Sequence, residues 1–98
     1  MDNQKELKLM DGHYQPTEAK ELISSLINGK LGFLNLELMR KLEWDQPGVG
    51  ECQNAMKELK DVKKDIIALM NKAKELGLEV QLKGSIEISV LQEEPQLV

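Results

Sequence analysis

Apolar residues at Cys52, Ala55, Leu59, Val62, Ile66, Leu69, Ala73 and Leu76 recur at alternating intervals of three and four, the heptad period of a long helix. That helix is expected over residues 51–76, with Gly77 directly behind it as a C-terminal cap. Met56, Ile67 and Met70 widen the apolar band on both sides of the seam. A two-stranded coiled coil needs only a narrow stripe, so the broader band implies packing on other helices as well as contact between copies.

The same periodicity predicts two shorter helices upstream. Ala19, Leu22, Ile23, Leu26 and Ile27 repeat on one face of residues 16–28, with Pro16 suited to the first helical position, Glu18 to the positive end and Gly29 to the stop. Leu31, Leu34, Leu38 and Leu42 share a face of residues 32–44, with Leu36 and Met39 beside it. The run from Asp45 to Gly50 contains Pro47-Gly48 and reads as the loop before the long helix.

Period-two patterns mark the two ends. Residues 5–10 alternate around Leu7 and Leu9 and predict a strand, after which Asp11-Gly12 is expected to turn the chain. From Leu78 to Val90 every even position except Gly84 is apolar. A two-residue loop at Lys83-Gly84 would set each apolar residue against a polar one, so register argues against it. A three-residue loop at 83–85, joining strands 78–82 and 86–91, and one unbroken or bulged strand both keep the face. Both remain open. Residues 93–98 read as a frayed tail on a single domain spanning 1–92.

These elements predict an α+β, mostly helical fold. It is a three-helix bundle with one long heptad helix and a small antiparallel sheet formed by the N- and C-terminal segments. Open sheet edges and the heptad seam point to a homo-oligomer, a twofold dimer, with Leu59, Val62, Ile66, Leu69, Ile86 and Ile88 at the interface.

Composition narrows function chiefly by exclusion. Seventeen acidic against thirteen basic residues give a net charge of −4, which opposes the clustered Lys and Arg of a nucleic-acid binder. With one Phe, one Trp and one Tyr, aliphatic side chains must fill the core. No run of about eighteen apolar residues predicts a membrane span, and no basic-then-apolar start predicts export, so the expected location is cytoplasmic, with no membrane partner.

The run Lys8-Leu9-Met10-Asp11-Gly12-His13-Tyr14-Gln15-Pro16-Thr17-Glu18-Ala19-Lys20-Glu21-Leu22, with the later Leu26-Ile27-Asn28-Gly29-Lys30-Leu31-Gly32-Phe33, resembles small bacterial proteins of unassigned function. In those an Asp-Gly turn, an aromatic residue and a Pro-x-Glu-Ala helix start precede a long charged helix and a closing Ile-Glu-Ile strand, here Ile86-Glu87-Ile88. The resemblance implies this order of elements and no chemistry.

Candidate chemistry is sparse. His13 lies in Asp11-Gly12-His13-Tyr14, but no second His and no nucleophile signature accompanies it, so no enzyme is expected. One His and one Cys without ligand spacing predict neither a metal site nor a cofactor. Cys52 falls in the first turn of the long helix, where a thiolate is favoured, and also on its apolar seam, where a buried small hydrophobe is expected. The charges of the long helix have mixed sign, as a solvated face does.

The expected function is that of a noncatalytic, homo-oligomeric binding protein acting by occupying a partner. The alternative is a protein that binds or sequesters a small molecule, such as the signalling nucleotides that bacteria and phages regulate. It would use an intersubunit pocket drawing on His13, Tyr14, Trp44, Lys60 and Lys64.

Overall fold

A computed structural model describes residues 3–91; the tail expected at 93–98 lies outside them. The order of elements is β1 (Gln4–Tyr14), α1 (Pro16–Glu43), α2 (Val49–Glu75) and β2 (Val80–Ser89), so the class is α+β. Residues 14–80 form one compact unit, a helical hairpin, and the strand segments before and after it in sequence form another.

The hairpin contains two helices where the glycine pattern predicts three. Residues 16–28 and 32–44 are joined in α1, which runs through Gly29 and Gly32 for 28 residues. Gly29 has no left-handed backbone and so caps nothing. The physical reason is tertiary. Pro16, Lys20, Ile23, Ile27, Leu31, Leu34, Leu38 and Lys41 are buried or half-buried at intervals of three or four, an unbroken face along which α2 packs. That contact outweighs the cost of about 1 kcal/mol per mid-helix glycine.

Helix α1 ends at Trp44, and the next residue, Asp45, adopts the left-handed conformation at φ 50°. The Gln46 N–H donates to the Lys41 carbonyl at 2.8 Å, the long bond of a Schellman closure. A residue with a Cβ is costly there. Asp45→Gly is therefore expected to raise stability by about 1 kcal/mol in urea unfolding, and a loss of stability would contradict this closure.

Helix α2 ends as its sequence predicts. Gly77 takes φ 67°, Leu78 N–H donates to the Ala73 carbonyl at 2.9 Å, and Gly77 N–H donates to Lys74 at 3.2 Å. The buried edge of this helix nevertheless differs from the expected seam. Cys52, Ala55, Leu59, Ile66 and Ala73 are buried or half-buried as the seam predicts, but Met56, Lys63 and Met70 join them, while Val62, Leu69 and Leu76 are exposed. Met70 is 5 % exposed and its neighbour Leu69 62 %. Two cross-helix bonds fix this phase: the Cys52 thiol donates to the Leu34 carbonyl at 3.2 Å, and Lys63 Nζ donates to Asn28 Oδ1 at 2.8 Å.

The strand unit is a two-stranded ribbon. Asp11-Gly12, expected as a turn, lies inside β1, and Val80–Ser89 is one unbroken strand without a loop at 83–85. Val90 N–H donates to the Asn3 carbonyl at 2.7 Å, which sets Leu7 opposite Ile86 in the antiparallel ladder. Farther along, Met10 lies over Gly84, its Cγ 3.7 Å from where a Cβ would stand. The register has thus slipped by one residue, and β1 is one residue longer than β2. A β-bulge between Leu7 and Met10 accounts for both. It also explains how Lys8 and Asp11, which a regular strand would place on opposite faces, approach to 3.9 Å. The bulge keeps Leu7 and Met10 on the face of Leu82, Ile86, Ile88 and Val90.

Candidate functional site

One flank of the hairpin carries a row of exposed apolar residues, with Lys30 Nζ 5.2 Å from the centre of the Phe33 ring; Leu36, Met39 and Leu42 are exposed elsewhere on α1. Asn28 and Lys63 bond across the opposite flank. On α1, Leu26 and Phe33 lie on the side away from Asn28; on α2, Val62 and Leu69, with the C-cap residue Leu76, lie on the side away from Lys63 and Met56. In an antiparallel pair those two rows fall side by side. All five residues are exposed, Val62 by 47 % and Leu76 by 63 %.

Of the interface residues read from sequence, Leu59 and Ile66 are half-buried in the hairpin. Val62 and Leu69 sit on the exposed flank, and Ile86 and Ile88 are exposed on the ribbon. Sequence reading missed Leu26 and Phe33 as surface residues. Their signal is a spacing of seven, the same spacing that links Val62, Leu69 and Leu76.

The residues suggested for a small-molecule pocket are not assembled within either unit. Tyr14 precedes the first turn of α1 and Trp44, 71 % exposed, caps its end, so the helix separates them by about 40 Å at 1.5 Å per residue. Lys60 borders an open groove with Leu38, Gln53, Met56 and Lys57, while Lys64 is exposed outside that lining. His13 is an exposed residue of β1, in the ribbon unit. No single cavity within the hairpin gathers Tyr14, Trp44, Lys60 and Lys64.

Cys52 is buried with a free thiol, as its seam position predicts. Its small side chain is what allows α2 to approach the α1 backbone at Leu34. Among the described residues no three His, Cys, Asp or Glu side chains converge as metal ligands, and no helix is long and apolar enough to cross a membrane. No known protein family, curated protein or solved structure matches the chain.

Proposed function

We propose that this chain is a noncatalytic, homo-oligomeric interaction protein that works by occupying a partner. The observation that carries the reading is the exposed row of Leu26, Phe33, Val62, Leu69 and Leu76 along one flank of the hairpin, with Lys30 at the Phe33 ring. A row at helical spacing matches the apolar stripe of an amphipathic helix, so the partner presents a helix with apolar residues at intervals of three and four. The ribbon supplies the contact between copies, because an isolated two-stranded sheet is marginal in water and gains by adding strands.

Native mass spectrometry of the protein purified from its own host tests this reading. The expected result is an oligomer of the 11.1 kDa chain carrying a second polypeptide. An oligomer with a reproducible small added mass and no second polypeptide would favour a sequestering protein instead. A bare monomer would contradict both readings.

A further inference from the structure

We infer that a second copy of this chain pairs along the free edge of β2, antiparallel, about a twofold axis at Ser85. This rests on the proposed homo-oligomeric reading and specifies its interface. β1 pairs with one edge of β2, and no strand among the described residues pairs with the other. Because Val90 donates inward to Asn3, the even residues of β2 direct their main-chain groups at β1. The odd residues 81–89 then direct their N–H and C=O groups to the free edge, ready for another strand.

The side chains of β2 are self-complementary in one register. With Ser85 opposite the partner's Ser85, Val80 meets Val90, Leu82 meets Ile88 and Gly84 meets Ile86, all on the apolar face. On the polar face Gln81 meets Ser89 and Lys83 meets Glu87. Twofold symmetry repeats each pairing, so two Lys–Glu pairs flank the axis and no like charges face each other. Centring on Ile86 instead sets Lys83 against Ser89, and centring on Gly84 sets it against Ser85, so either shift loses both ion pairs. The outer edge of β1 is a poorer template because its bulge interrupts the ladder between Leu7 and Met10. The product is a four-stranded sheet in the order β1, β2, partner's β2, partner's β1, which joins the two apolar faces into one.

Charge exchange in the full chain, read by sedimentation equilibrium, tests the pairing. Lys83→Glu or Glu87→Lys places like charges together twice, and each is expected to weaken the dimer about tenfold. Glu87 stands opposite Glu6 within the ribbon, so Glu87→Lys relieves a like-charge contact in the monomer, and a weaker dimer from this variant is not a folding defect. The double exchange restores Glu–Lys pairing and is expected to return affinity to within about threefold of the parent. Single variants that dimerise like the parent, or a double variant as weak as the singles, would overturn pairing at β2 and leave the oligomeric reading standing. A monomeric parent would overturn both.

Discussion

Gly29→Pro is expected to cost about 3 kcal/mol or more, while Gly29→Ala is expected to gain about 1 kcal/mol. Against the stability of a typical small domain, about 5–15 kcal/mol, the first is a severe loss. Gly29 lies inside α1 without a left-handed backbone, and a Cβ added there meets nothing within 4 Å. Alanine therefore lowers the entropy cost of ordering the helix without a clash, whereas proline removes an amide donor and strikes the carbonyl four residues back. If the chain turned at Gly29 as a glycine cap, alanine would be the damaging substitution. Urea unfolding of both variants distinguishes the two, because the sign for alanine reverses.

Met70→Ala is expected to destabilise by about 2–5 kcal/mol, and Leu69→Ala by no more than about 0.5 kcal/mol. Both remove a large apolar side chain from adjacent positions of α2. Their environments differ: Met70 is buried in the hairpin and Leu69 lies on the open flank. Chemical denaturation of the two variants measures the rotational phase of α2 directly. Equal costs would place α1 across the row of Val62 and Leu69 and remove the exposed surface on which the proposed function rests.

The parts of this fold that local chemistry controls are legible in the sequence. Pro16 opens α1, Gly77 closes α2, and the even-numbered apolar run from Val80 to Val90 forms one face of a strand. The errors arise where long-range packing overrules a local signal. Gly29 and Gly32 carry the composition of a break, but the apolar face of α1 continues across them and α2 covers it. Asp45 closes that helix in a conformation glycine would favour, so its end carries no glycine signal.

The phase of α2 was hidden for a different reason. The row of Cys52, Leu59, Ile66 and Ala73 has apolar companions on both sides, and the side that faces α1 includes Lys63. A lysine counts as polar in any periodicity. Here it lies half-buried along the seam and reaches Asn28, with its aliphatic stem suited to that position. The exposed flank follows from this choice, which depends on the contact with α1 and is not contained in the periodicity of α2. The bulge in β1 is similarly concealed: Leu7, Leu9 and Met10 fit neither phase of a regular strand, and the cross-strand contact of Met10 with Gly84 resolves them.

Sedimentation equilibrium of the unmodified 98-residue chain over a wide concentration range tests self-association most directly. A reversible shift from the 11.1 kDa chain to twice that mass is expected as concentration rises. A single species of 11.1 kDa at every concentration would contradict it.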